Sequence, residues 1–167
     1  FSSYANMNYA HDRLASIFNT NGWTCYKQGE GLSKLEIIRR FKAHGNAVLF
    51  ATKSFWEGVD VQGDALRLVV IDKVPYPAPN AMYKKQERDL KEAARLEGIP
   101  ERKLKFVGLN KIGTPTAIID LKQGLGRLIR TSEDQGVMAI LDKRALSSRD
   151  ITAALPESKI ERSLCST

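Results

Sequence analysis

Three short, uninterrupted apolar runs constrain this chain most: residues 47–52 (Ala-Val-Leu-Phe-Ala-Thr), 68–71 (Leu-Val-Val-Ile) and 137–141 (Val-Met-Ala-Ile-Leu). Such runs suit strands buried on both faces, as in a parallel sheet covered by helices. The segments between them carry helical signals. Residues 3–20 place Met7, Ala10, Leu14, Ile17 and Phe18 at helical spacing, with Ser2 or Ser3 as cap and Asn21-Gly22 as stop. Residues 23–28 are short, β-branched and aromatic, and read as a strand. Ser33-Lys34-Leu35-Glu36 is a capping box that opens a second helix, lined by Leu35, Ile38 and Phe41 and ended near Gly45. Residues 82–97 are charged and helix-favouring, and Thr114-Pro115 caps and opens a further helix with Pro at its first position. From about Ser147 a short helix and a ragged tail are expected. Helices alternating with short apolar strands predict an α/β fold: an open, mostly parallel sheet with helices on both faces. In such sheets function sits at the carboxyl ends of the strands.

The 167 residues suit one domain, expected over residues 1–156, with a tail at 157–167. No stretch approaches the ~20 apolar residues of a membrane span, and Phe1-Ser2-Ser3-Tyr4 has no secretory character. Without an initiator Met the sequence is expected to lie inside a longer polypeptide. Cys25 and Cys165 are far apart and show no ligand spacing, so no metal site is expected and both read as free thiols of a reducing cytoplasm. The net charge of +7 favours a polyanionic partner, either nucleic acid or an acidic surface.

After the run at 47–52 comes Lys53-Ser54-Phe55-Trp56-Glu57-Gly58-Val59-Asp60-Val61-Gln62-Gly63. Gly58 and Gly63 permit tight backbone geometry and close approach of a ligand. Thr52, Lys53 and Ser54 supply donors suited to a phosphate at a strand end, and Asp60 can accept from a ribose hydroxyl. Phe55 and Trp56 either stack on a base or pack into the core, the second being the commoner fate of such side chains.

Residues 116–130 carry the densest signal. At about 100° per residue, Ile118, Leu121, Leu125, Leu128 and Ile129 form an apolar face. Gln123, Arg127 and Arg130 fall within about 60° of each other on the opposite one. Gly124 and Gly126 flank that polar stripe, each costing about 0.5–1 kcal/mol inside a helix. They are read as clearing space for a bulky ligand or a second surface to reach the guanidinium groups. Arginine is the side chain that clamps phosphate in a rigid fork.

With these residues in view the chain resembles the DinG/XPD branch of superfamily 2 helicases. Gln123-Gly124-Leu125-Gly126-Arg127-Leu128-Ile129-Arg130 is similar to that family's motif VI, and Thr52 to Gly63 to its motif V. Val70-Ile71-Asp72-Lys73-Val74-Pro75-Tyr76-Pro77 resembles the strand and loop that follow it. Phe1-Ser2-Ser3-Tyr4 resembles the end of motif IV, and Tyr26-Lys27-Gln28-Gly29 a short motif after the next strand. The matches run in order from residue 1 to about 156. The resemblance implies the second RecA-like motor domain of an ATP-dependent DNA helicase, acting with Mg²⁺ and moving 5′-to-3′ on single-stranded DNA. It further implies that Arg127 and Arg130 face the nucleotide bound on the first RecA-like domain, at least one as an arginine finger. Gln123 would contact the γ-phosphate or the attacking water. Gly58, Asp60 and Gly126 would meet the nucleotide and the domain interface. Thr52, Lys53 and Ser54, with Ser3 and Tyr4 beside them, would hold the DNA backbone.

The chain has no G-x-x-x-x-G-K-[ST] stretch. In the family that loop, and the iron–sulfur cluster of many relatives, belong to the first motor domain, so this chain alone is expected to hydrolyse no ATP. Ser147-Ser148-Arg149-Asp150 stands where the family usually has a Tyr-Gly pair, and residues 80–82 fall short of its pattern. Two rival readings remain: a stand-alone basic nucleic-acid-binding module, and a helicase-like ATPase acting on RNA.

Overall fold

A computed structural model describes residues 1–56, 61, 65–126 and 136–155, except the side chains of Leu146 and Ser147. The statements below concern those residues. The element order is α1 (Tyr4–Thr20), β1 (Thr24–Lys27), α2 (Lys34–Ala43), β2 (Ala47–Phe50), a 3₁₀ turn (Lys53–Phe55), β3 (Leu68–Ile71), α3 (Ala81–Leu96), α4 (Glu101–Leu104), α5 (Thr114–Leu125), β4 (Val137–Ile140), α6 (Arg144–Ser147) and α7 (Arg149–Ala154).

The expected parallel α/β architecture is present. β1 pairs with β2 from Thr24↔Ala47 to Lys27↔Phe50, and β3 with β4 from Leu68↔Val137 to Ile71↔Ile140, both parallel. The carboxyl ends of the two pairs meet at one edge. There the backbone nitrogen of Phe1 donates to the carbonyl of Ala51 just past β2, and the next residue, Ser2, binds Asp72 just past β3.

Each strand pair has its own core. Tyr26, Ile37, Ile38, Phe55 and Val61 pack around the first. Ile71, Val74, Ala117, Leu121, Leu125, Ala145 and Ile151 pack around the second. Met7 on α1 is fully buried, and the rings of His11 and Phe18 meet Phe50 edge-on.

Local chemistry explains the helix starts. Ser3 accepts from the amide of Asn6, Ser33 from that of Glu36, and Asn80 from that of Tyr83, each satisfying an amide that the first turn leaves unpaired. The box at Ser33 is only half closed, because the Glu36 carboxylate turns to Arg39 and Arg40 instead of reaching back.

Three expectations are corrected. Leu35 is 78% exposed, and Ile37, on nearly the opposite side of α2 from it, occupies the buried position beside Ile38. Thr114 does not cap a helix. A π-helical segment, Leu109–Gly113, runs directly into α5. Pro115 brings no amide hydrogen to the ladder, and just before it the Thr114 amide reaches back to the carbonyl of Leu109 in a widened turn. Helix α5 is described over Thr114–Leu125 with Gly126 as its cap, and residues 127–130 of the expected helix lie outside the described residues. Finally, β3 and β4 are covered on one face only. Val69, Ile71, Met138 and Ile140 meet the core, while Leu68, Val70 and Val137 on the other face are exposed among the described residues.

Candidate nucleic-acid edge and its link to helix α5

Past β1, Gln28 leaves the strand and Gly29 turns the chain with φ +91°, a conformation that favours glycine. The Gln28 amide then organises the edge. Its Oε1 accepts from the backbone amide of Thr52 (2.8 Å) and from Thr52 Oγ1 (2.9 Å). Its Nε2 donates to Tyr4 Oη (2.6 Å) and Ser54 Oγ (3.1 Å). A backbone N–H can only donate, so the Thr52 amide fixes which way the Gln28 amide faces. Thr52 Oγ1 spends its hydrogen on Gln28, so Ser54 is the donor in the 3.0 Å Ser54–Thr52 contact. The Tyr4 hydroxyl hydrogen is left to face solvent, on a side chain that is 53% exposed.

Three of the expected backbone-binding residues, Tyr4, Thr52 and Ser54, are therefore gathered by one side chain. Gln28 itself was not singled out as a site residue. The signal was a polar residue at a strand's carboxyl end followed by a turn glycine. Ser3 is next to this group, and its Oγ accepts from the Asn6 amide at the start of α1, which leaves the hydroxyl hydrogen to donate.

Lys53 has a partner within the chain. Its ammonium pairs with the Asp120 carboxylate on α5, which is itself only 11% exposed. A phosphate would have to compete with that carboxylate. The reading of Gly124 also changes. A Cβ at this position would lie 2.8 Å from Trp56 Cδ2 and 2.9 Å from Cε3, so the missing side chain makes room for the indole of this same chain. Phe55 is buried and Trp56 half-buried against the second core, so both are packing residues. Residues 52–56 are thus fastened to α5 twice, by an ion pair and by an aromatic ring on a glycine.

The Gln123 side chain is exposed near the end of α5, beside the cap Gly126, and has no intrachain partner among the described residues. Arg127, Arg130, Gly58 and Asp60 lie outside the described residues. The expected clustering of Gln123 with the two arginines is therefore left where the sequence put it.

At the ends of β3 and β4, Asp72 accepts from Ser2 (backbone amide and Oγ, both 2.8 Å) and Asn6 (3.0 Å). Burial alone would raise its pKa, but the hydrogen bonds from Asn6 and Ser2 prevail and hold it below the ordinary value. Asp142 behaves alike. Burial opposes its charge, but the guanidinium and amide of Arg144 and the amide of Val74 bring its pKa down to about 2.

Parallel strand pairs with helices between them and a polar carboxyl edge fit an α/β domain of the RecA-like fold. The profile of the helicase C-terminal domain family matches residues 1–159, and the chain belongs to that family. It is 45% identical over 117 residues to the ATP-dependent DNA helicase YoaA of Escherichia coli, covering 70% of this chain and 17% of the relative. It is 32% identical over 145 residues to the protein named 3'-5' exonuclease DinG of Bacillus subtilis, covering 86% and 14%. Among solved structures an XPD helicase superposes with a TM-score of 0.61 at 21% identity, over 92% of this chain and 26% of that one. The match to XPD bears on fold alone. The chain thus spans about a sixth of the two curated relatives, and it is a helicase C-terminal domain of the DinG/XPD-like group.

Proposed function

We propose that this chain is the second motor domain of an ATP-dependent DNA helicase that translocates on single-stranded DNA in the 5′-to-3′ direction. One observation carries the reading: Gln28 gathers Tyr4, Thr52 and Ser54 at the carboxyl edge, and the same short segment is fastened to α5 through Lys53–Asp120 and Trp56–Gly124. The edge is built from neutral side chains, and the Tyr4 hydroxyl keeps its hydrogen to donate outward. Such donors suit the sugar–phosphate backbone, which a translocase must hold irrespective of sequence.

The nucleotide and its Mg²⁺ rest mainly on the first RecA-like domain. What this chain offers fits one side of a phosphate site: an exposed glutamine amide beside a glycine-capped helix end, followed in sequence by two arginines. ATP supplies the phosphoryl group whose transfer to water drives the cycle. Gln123 would contact that group or the attacking water, and Arg127 and Arg130 would supply permanently charged forks for its developing charge. Gly58 and Asp60 would meet the sugar and the domain interface.

The test is ATP hydrolysis by the full-length parent protein, with and without single-stranded DNA, for wild type and Arg130→Ala. An arginine finger is worth about 10³–10⁵ in rate, so at least a hundredfold loss is expected, with DNA binding retained. If neither DNA nor the substitution changes the rate, the motor reading fails and the domain is a basic binding module. Stimulation by RNA but not DNA would instead select the RNA-directed reading.

A further inference from the structure

Asp72, Lys73, Leu141, Asp142, Lys143 and Arg144 line an open depression of about 430 Å³ at the carboxyl ends of β3 and β4. Three cations and two carboxylates meet there, but they are not equally available. Asp72 is occupied by Ser2, Asn6 and the amide of Lys73. Asp142 is occupied by the Val74 amide and by Arg144, whose guanidinium also lies over the Tyr76 ring at 5.0 Å. The acids therefore hold the loops in place and are not open to a cation. Lys73 and Lys143 are exposed, and neither ammonium has a partner among the described residues.

We propose that Lys73 and Lys143 hold two further phosphates of the strand that passes Tyr4, Thr52 and Ser54. The track thereby extends from the first strand pair across the second. This rests on the single-strand reading above. The continuity is structural: Ser3 and Tyr4 begin α1, while Ser2 and Asn6 on either side of them bind Asp72 at the rim of the depression. The chemistry is that of a polyanion site. Lysine is a compact point charge on a flexible stem, so it attracts phosphate without demanding a fixed geometry. The depression is open, which lets a polymer pass where an enclosed pocket would admit only a small anion.

The test uses the full-length parent protein and a fluorescently labelled oligo-dT, with affinity measured between about 50 and 200 mM salt. Each phosphate contact to a single strand contributes about 0.7 to the slope of log K against log salt. Lys73→Gln combined with Lys143→Gln should flatten that slope by about 1.4, with an unchanged melting temperature showing that the fold is intact. Lys73→Arg with Lys143→Arg should restore it. If wild type binds and the Gln pair keeps the wild-type slope, this inference fails and the reading of the first edge stands. If wild type does not bind oligo-dT at all, both fail together.

Discussion

At the carboxyl ends of β1 and β2 the side chains of Tyr4, Gln28, Thr52 and Ser54 are neutral and bonded to one another, whereas at those of β3 and β4 Asp72, Lys73, Asp142, Lys143 and Arg144 are charged and the acids are tied to their own loops. The first edge spends its hydrogen bonds internally and presents a single preset surface around Gln28. The second keeps two ammonium groups outside its internal network. The contrast separates two tasks that a translocating motor must combine. Preset neutral donors hold a backbone in register over short range, while mobile cations attract it over a Debye length of roughly 8–10 Å. The first edge is fastened to α5 by an ion pair and by a ring on a glycine, which gives its occupancy a short physical route to Gln123.

The largest expected effect attacks that fastening. Gly124→Ala puts a methyl group against the Trp56 indole, and overpacking of this kind costs about 1–3 kcal/mol. In a Trp56→Ala background the obstruction is gone, and alanine should then stabilise the helix by about 0.5–1 kcal/mol. The sign of the Gly124→Ala effect in urea unfolding therefore inverts between the two backgrounds. If it has the same sign in both, the glycine is not there for the ring.

Asp120→Asn tests the ionic half of the link. Loss of one partner of a buried pair costs about 3–5 kcal/mol, but Lys53 is 45% exposed and can turn to water, so about 1–2 kcal/mol is expected. The functional readout is more telling. The ratio of DNA-stimulated to DNA-free ATP hydrolysis in the parent protein should fall, while affinity for single strands holds or rises as Lys53 is released. A variant that loses stability alone would make the pair a packing feature. Next in size is Gln28→Ala, which unties Tyr4, Thr52 and Ser54. It should weaken single-strand binding about tenfold, the worth of roughly one well-placed hydrogen bond. Its slope against salt should stay at the wild-type value because no charge is removed.

Much of this fold was legible because its cues are local. The apolar runs marked β2, β3 and β4, hydroxyl caps marked α1 and α2, and parallel pairing followed from helices lying between strands. The misreadings depended on partners distant in sequence. Nothing in the sequence near Lys53 announces Asp120, which the fold brings to it from a helix far along the chain. A glycine between polar residues looks like a ligand gap until Trp56 fills it. The open face of β3 was illegible for a related reason: an apolar run states what a strand can tolerate, not what is present to cover it. Gln28 lay in a quoted motif, yet its role depends on three residues that only the fold assembles.

The smallest effect separates the buried charges of the second edge from charges on the surface. Asp142 and Glu36 both have pKa values near 2, against about 3.9–4.3 in unfolded chains. Glu36 owes its shift to hydrogen bonds from Arg39 and Arg40 on the surface of α2. For Asp142, burial works against the charge, and hydrogen bonds from Arg144 and Val74 more than offset it around a side chain only 8% exposed. A carboxyl group with a depressed folded pKa stabilises fully above its unfolded value and loses that contribution as pH falls toward the folded one. Both contributions should therefore be whole above about pH 5 and drain away between about pH 4 and pH 2. Salt tells them apart, because at 1 M the screening length falls to about 3 Å and exposed pairs weaken first. In acid unfolding, Glu36→Gln should matter at low salt and little at 1 M, whereas Asp142→Asn should flatten the same pH window at both. Equal salt sensitivity of the two would mean that water reaches Asp142 as freely as Glu36, and that the second edge is less firmly preset than its hydrogen bonds imply.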